Sequence, residues 1–572
     1  MHETSLTLPA PAPTGSGAVD ESVALWSALA ALGLREAVLA PGSRSAPLVY
    51  ALAGEELAGR IRAHVRIDER AAAFTALGLS RHDPAHPAAV VTTSGTATAH
   101  LHAAVMEAHH SRIPLLVLTA DRPAELREVG ANQTTRQAGM FRSLTRFAAD
   151  LPATTAAAAT VVELRTIVST AARAFAAATG EHPGPVHLNL SFRDPLVPHS
   201  GTAADGTAPD DTAQSRPQLV ITRRVPAPAP APQPVPVDAR TVVVAGDGAG
   251  PAAAELAATH VLPLLAEPSS GALTGPTLVP GHPALLREIM ADPDHPLRPR
   301  RAIVFGHPTL SRPVVGALLG AQDVEVIVVD RHPDWTDVAR RASLVIPAAT
   351  GHEIGPADLD ARREQLAAWR AAAEETAPAG RLWQQQAALT VWESSGDGDL
   401  LVLGSSSLVR DLEQLAGPTA ARVIANRGLA GIDGTTAMAG GLALARAAEG
   451  IPGRTRVLVG DLTALHDLTG LLVGPEETRP ELDLVVVDDG GGRIFSGLEH
   501  AAAPPALLRR FFTTPHGADI ATAAAALGAD ARTLAPDALP AALAESAHGL
   551  RVLVVQQTSS ACPSNSSLTV MT

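Results

Sequence analysis

Lysine is missing from this 572-residue chain: all 44 basic residues are arginine. Schiff-base catalysis, covalent pyridoxal-phosphate attachment and the phosphate-gripping lysine of a P-loop need that amine, so all three are excluded. A GC-rich coding bias accounts for the arginine total, but not for where particular arginines fall. Cysteine is almost as scarce. Cys562 stands alone, which excludes an intramolecular disulfide and a cysteine-built zinc site. No run of about eighteen apolar residues occurs, so no membrane span is expected. The first residues also lack the basic and apolar segments of a secretory signal, and a cytoplasmic location is the default expectation. A net charge of −14 argues against nucleic acid as the main partner. What remains is ample core: 46% of residues are hydrophobic and 18% charged, in a length suited to about three domains.

The pattern along the chain alternates strand and helix, with polar residues collecting where strands finish. That is the signature of α/β domains with parallel sheets and a functional edge. Residues 1 to 17 lack periodicity and read as a mobile tail. An α/β block is expected over 18–195 and a Pro/Ala-rich linker over 196–238. A central Rossmann-like block over 239–355 and a helical connector over 356–395 follow, then a third α/β block over 396–560. In the central block, the turn Gly246-Asp247-Gly248-Ala249-Gly250 is either a phosphate cradle or a structural tight turn. The residues after Val555 read as frayed.

Two strand ends in the third block are acidic. Arg456–Val459 leads into Gly460-Asp461-Leu462, and Leu482–Val487 leads into Asp488-Asp489-Gly490-Gly491, with a helical stretch over Thr463–Val473 between them. A right-handed crossover returns Asp461 and Asp489 to one rim. Carboxylates beside glycine carbonyls suit a hard cation such as Mg²⁺. Alternatively, Asp461 caps a helix and the Asp-Asp-Gly run is only a turn.

Three consecutive α/β blocks with this Gly-Asp and Asp-Asp-Gly unit in the last resemble the thiamine-diphosphate-dependent decarboxylase-like enzymes. Longer strings sharpen the likeness: Ala40-Pro41-Gly42-Ser43-Arg44-Ser45-Ala46-Pro47-Leu48, Asp68-Glu69-Arg70, Thr119-Ala120-Asp121-Arg122-Pro123-Ala124-Glu125-Leu126, Gly130-Ala131-Asn132-Gln133, Asn426-Arg427-Gly428-Leu429-Ala430-Gly431-Ile432-Asp433-Gly434, and Gly492-Arg493-Ile494-Phe495-Ser496. They resemble the menaquinone-pathway branch of the family, over about Val19 to Phe512 and most weakly in the middle block.

The resemblance implies a pyrimidine-binding first domain and a diphosphate-binding third domain. The cofactors are then thiamine diphosphate and Mg²⁺, with Mn²⁺ possible. It gives Glu69 the catalytic contact to the pyrimidine N1′; otherwise Glu69 is simply an acid favoured at a helix N-terminus. It places Ile432, Gly460, Asp461, Leu462, Ile494 and Phe495 at the cofactor. It assigns the metal to Asp461, Asp489 and the Gly491 carbonyl, with Asp488 the competing acid. This chain departs from the family there, carrying Asp where the family has Asn. The substrates implied are 2-oxoglutarate and isochorismate, both dicarboxylates. Arg44, Arg122, Arg410 and Arg427, with Ser43, Asn132, Gln133 and Ser406, are the matching positions, and arginine grips carboxylates bidentately. A homodimer or homotetramer with active sites between subunits is also implied. The rival readings are another thiamine-diphosphate-dependent decarboxylase or carboligase, and a nucleotide-binding protein without catalysis. His100, His102, His109 and His110 read as surface or supporting histidines, since residues two helical turns apart do not readily chelate one ion.

Overall fold

A computed structural model describes residues 6–155, 157–199, 216–352, 356–376, 378 and 380–557. The first five residues, the middle of the linker and the C-terminal stretch with Cys562 lie outside the described residues.

Three parallel sheets follow one another along the chain. The first has strands β1 (Glu36–Leu39), β2 (Arg62–Val65), β3 (Ala89–Thr92), β4 (Leu115–Asp121), β5 (Phe147–Leu151) and β6 (Pro185–Ser191), in the order β2-β1-β3-β4-β6-β5. The central sheet has β7 (Thr241–Ala245), β8 (Leu264–Ala266), β9 (Arg301–Phe305), β10 (Glu325–Val329) and β11 (Ala342–Ile346), ordered β8-β7-β9-β10-β11. The third comprises β12 (Leu400–Leu403), β13 (Arg422–Ala425), β14 (Thr455–Gly460), β15 (Leu482–Val487), β16 (Asp530–Leu534) and β17 (Leu550–Val555), ordered β13-β12-β14-β15-β17-β16. Most inner strands are Val/Leu/Ala runs buried along their whole length, as strands covered by helices on both faces require.

Each sheet reverses its strand order beside its first strand, and that reversal opens a crevice at the carboxyl ends of two neighbouring strands. These switch points fall between β1 and β3, β7 and β9, and β12 and β14. In the central sheet the crevice is closed by the chain itself. The amides of Gly246, Asp247, Gly248, Ala249 and Gly250 donate to the carbonyls of Phe305, His307, Ser269, Gly246 and Ser270. No free amide is left there for a phosphate, so this turn is structural.

The first and third blocks meet through a helix crossing. Helix α1 (Glu69–His82) packs against α2 (Thr435–Ala448), and one apolar cluster runs from Phe74 and Leu77 through Met438 and Leu442 to Val457 and Val486. Glycines make the approach close. A Cβ on Gly78 would lie 2.0 Å from the Met438 carbonyl, and one on Gly441 would lie 2.1 Å from that of Thr75.

Several boundaries differ from expectation. The N-terminal tail is not wholly unstructured: Thr7–Pro9 pairs antiparallel with Gln218–Val220. Linker residues Gln233–Val235 pair with Ala349–Gly351. The stretch expected as one helix over Thr463–Val473 is a short helix α3 (Asp461–His466) followed by the 3₁₀ turn Leu468–Leu471. The helical connector is two helices, Pro356–Glu375 and Trp383–Glu393.

Candidate active site at the strand ends

A cavity of 280 Å³ lies at the switch point of the third sheet. Ser405–Ser407, following β12, form one side, and Gly460, Asp461, Leu462 and Thr463, following β14, form the other. Asp489, Gly491 and Gly492 after β15 make the floor with Val487, and Ile432, Ile494 and Phe495 supply an apolar wall. The cofactor and metal candidates of the third block, scattered over more than sixty positions of sequence, thus share one chamber. Ser406 caps the following helix, Ser407–Leu415, accepting from the Leu408 amide at 3.3 Å.

Acids crowd this floor. Asp461 accepts the Leu462 amide on Oδ1 and the Gly491 amide on Oδ2, each at 2.6 Å. Burial raises its pKa against these hydrogen bonds, and Asp488 adds to the rise. Burial, with Asp461 next, pushes Asp489 up to about 6, offset by Arg493 at 3.2 Å. Asp488 is used differently: its oxygens accept from the Gly490 amide (3.0 Å) and from Gln556 (2.6 Å). It does not line the cavity, whereas Asp489 does. Two carboxylates desolvated together, Asp461 and Asp489, form an oxygen donor set fitted to a divalent cation. Among the described residues, the one group of three ligand-type side chains within 4.8 Å of one another is Asp461, Asp488 and His516. The His100–His110 stretch forms no such group, and His109 is bonded to the Leu144 carbonyl at 2.7 Å.

The arginines fall into two sets. On the rim of the first sheet, Arg44 bonds the Phe192 carbonyl (2.9 Å) and faces Asp194 (3.6 Å). Arg122 donates to Ser94 and to the Gln133 carbonyl. Desolvation and then the Arg44 charge lower the Arg122 pKa, so the two guanidinium groups are electrostatic neighbours. Gln133 holds a left-handed backbone (φ 57°) while its amide reaches the Ser94 carbonyl at 2.9 Å. Such local strain collects at functional sites. Ser43, Asn132 and Gln133 are exposed around this rim.

The second set faces the crevice between the central and third sheets. Arg427 donates to Thr309 at 2.9 Å. Arg410 sits on the first turn of a helix rather than in a strand-end loop, bonded to the Ser406 carbonyl at 2.9 Å. Its pKa is lowered by desolvation and by Arg427. The buried Nε atoms of Arg44 and Arg427 have no hydrogen-bond partner. Like charges held together with donors to spare suit a carboxylate ligand.

Glu69 opens helix α1, whose cap Asp68 accepts the Arg70 amide at 2.9 Å. That end is clamped to the segment after α3: Asp68 pairs with Thr469, and Arg70 donates to the His466 carbonyl at 2.8 Å. Glu69 is half-buried and does not line the cavity of its own chain. Just before it, Val65 and Ile67 are 39% and 65% exposed.

A model of the N-terminal TPP-binding domain of thiamine pyrophosphate enzymes matches residues 22–140, a span that holds Ser43, Arg44, Glu69, Arg122, Asn132 and Gln133. Over nearly the full length, the chain is 45% identical to a 2-succinyl-5-enolpyruvyl-6-hydroxy-3-cyclohexene-1-carboxylate synthase from Kineococcus radiotolerans, covering 92% of this chain and 94% of the relative. The chain belongs to this synthase family. Members from Leifsonia xyli (42% identity, 90% of this chain and 92% of theirs) and Paenarthrobacter aurescens (43%, 92% and 91%) match along the same length. In fold, the chain resembles the solved benzoylformate decarboxylase from Polynucleobacter necessarius. The TM-score is 0.64 at 17% identity, over 94% of this chain and 98% of that one.

Sequence reasoning missed three groups in or beside the site. His516 lies 3.2 Å from Asp461 Oδ2 but arrives from a loop 55 positions away with no motif around it. Glu267, fully buried at the end of β8, accepts the Thr309 and Leu310 amides at 2.8 and 2.7 Å beside Arg427. Ser94 follows β3, where a strand-end serine signals a rim but not its arginine partner.

Proposed function

We propose that the protein uses thiamine diphosphate and Mg²⁺, or Mn²⁺, to decarboxylate 2-oxoglutarate and to add the remaining four-carbon unit to isochorismate in menaquinone biosynthesis. The observation that carries this reading is the single chamber in which Ile432, Asp461, Asp489, Gly491, Ile494 and Phe495 meet, in a chain belonging to a family named for that product. When bound, the thiazolium of the cofactor serves as the electron sink for decarboxylation and carbon–carbon bond formation.

The chain's own residues divide the remaining work. Asp461, Asp489 and the Gly491 carbonyl hold the metal, while Gly460 and Leu462 contact the cofactor. Asp489 is favoured over Asp488 because Asp489 lines the chamber and Asp488 does not. Ile432 supports the cofactor as an apolar wedge. Glu69 holds the proton shared with the pyrimidine N1′. It does so in the cavity of a neighbouring subunit, a reading supported by the absence of Glu69 from the lining of the cavity in its own chain. The active unit is therefore a homodimer or homotetramer. Arg44 and Arg122, aided by Ser43, Asn132 and Gln133, bind one dicarboxylate, and Arg410 and Arg427 with Ser406 bind the other. Ile494 and Phe495 keep water from the reacting carbon.

Product formation is assayed with 2-oxoglutarate, isochorismate, thiamine diphosphate and Mg²⁺ together, and with each omitted. The expected result is a coupled product requiring all four. Rapid release of succinic semialdehyde with isochorismate making no difference would instead mark a simple decarboxylase.

A further inference from the structure

His516 stands beside the proposed metal site, with Nε2 3.2 Å from Asp461 Oδ2 and 3.9 Å from Asp488 Oδ1. Distances alone would make it a third ligand. Its other nitrogen decides otherwise. The Ala518 backbone amide donates to Nδ1 at 3.0 Å, so Nδ1 presents a lone pair and carries no proton. A neutral imidazole then has its proton on Nε2. That nitrogen donates to Asp461 and has no lone pair for a cation.

The carboxylate is held from several sides. Oδ2 accepts from the Gly491 amide as well as from His516, and Oδ1 accepts the Leu462 amide. A carboxylate oxygen accommodates two acceptor interactions, so the capacity left for a metal is on Oδ1. His516 also ends the segment that begins at the cavity wall. Phe495 packs against Phe512 (5.6 Å between rings), Phe512 stacks on His500 (4.5 Å), and the Gly492 amide donates to the Thr513 carbonyl at 2.7 Å. Both ends of the 493–516 segment are thereby anchored within the metal site.

We propose that His516 is a positioning residue: through the Nε2 proton it fixes the rotamer of Asp461 so that Oδ1 faces the cation, without itself entering the coordination shell. Partners that orient a metal ligand in this way are worth about 10- to 100-fold in metal affinity. The proposal rests on the metal site of the preceding section and extends it by one residue.

The test uses the full-length chain with thiamine diphosphate, titrated with Mn²⁺ and followed by electron paramagnetic resonance. His516→Ala is expected to weaken Mn²⁺ binding by about 10- to 100-fold, and His516→Gln, whose amide can donate from a similar place, to recover most of it. Electron spin-echo spectra of the wild type are expected to lack the coupling of a directly bound imidazole nitrogen. Such a coupling, abolished by His516→Ala, would make His516 a ligand and overturn the proposal; so would unchanged affinity in His516→Ala, or equal loss in both variants. Asp461→Asn separates the two levels. If it abolishes binding while His516→Ala leaves Mn²⁺ affinity unchanged, only the role of His516 falls. If Asp461→Asn leaves Mn²⁺ affinity unchanged, the metal site itself is misplaced and the role of His516 falls with it.

Discussion

Glu267 shows how strongly the interior of this protein acts on one side chain. Burial is the main cause that lifts its carboxyl from an ordinary value of 4.5 to about 8, and the nearby Glu413 adds to it. The folded chain therefore keeps a proton that the unfolded chain releases above about pH 4.5. Stability contributed at this position falls as pH rises from there through about pH 8. Glu267→Gln cannot ionise, yet keeps a carbonyl for the Thr309 and Leu310 amides. Thermal unfolding at several pH values is expected to show a shallower fall in Tm between about pH 6 and 8 for the variant than for the wild type. Neither this residue nor His516 was legible in the sequence, for a common reason. Each acts through a partner brought near by tertiary folding, and a lone acid or histidine in a loop carries no periodic signal. That Asp461 and Asp489 share a cavity was legible because both follow largely apolar strands. The choice between Asp488 and Asp489 was not, because adjacent residues differ only in which way the turn directs them.

At the scale of elements, the α1–α2 crossing is the most exacting contact described. Gly78 and Gly441 let the two helix backbones meet where a methyl group would strike a carbonyl oxygen. Gly78→Ala has to move α1 away from α2, an overpacking cost of about 1–3 kcal/mol. The same move shifts the N-terminus of α1 and Glu69 with it. Chemical denaturation is expected to show that loss, with kcat falling although no cofactor contact was altered. The strands themselves were easy to read, since buried Val/Leu runs with polar ends have few other interpretations. The pairing of Thr7–Pro9 with Gln218–Val220 was not. Three residues hold too little pattern to specify a partner more than two hundred positions away.

At the scale of the whole molecule, the proposed active sites join Glu69 of one subunit to Asp461 of another. Glu69→Gln alone is expected to lower turnover by about 100- to 10,000-fold, and Asp461→Asn to remove metal-dependent activity. Mixing these two inactive proteins under conditions of subunit exchange gives hybrids in which one site carries both changes and the other neither. Recovery of about a quarter of wild-type activity is the expected outcome for sites shared across a two-fold interface. No recovery despite proven exchange would place each site within one chain. The three-sheet plan was readable from the alternation of strands and helices. The proposed assembly was implied only by the family resemblance, because a surface meant for another copy looks in sequence like any other surface. The short apolar run ahead of Glu69, bared in the lone chain, has its own consequence. In the proposed assembly Val65 and Ile67 are covered and Glu69, the acid proposed to hold the proton, is shielded with them, so activity is expected to depend on protein concentration. Dilution is then expected to lower the activity per chain.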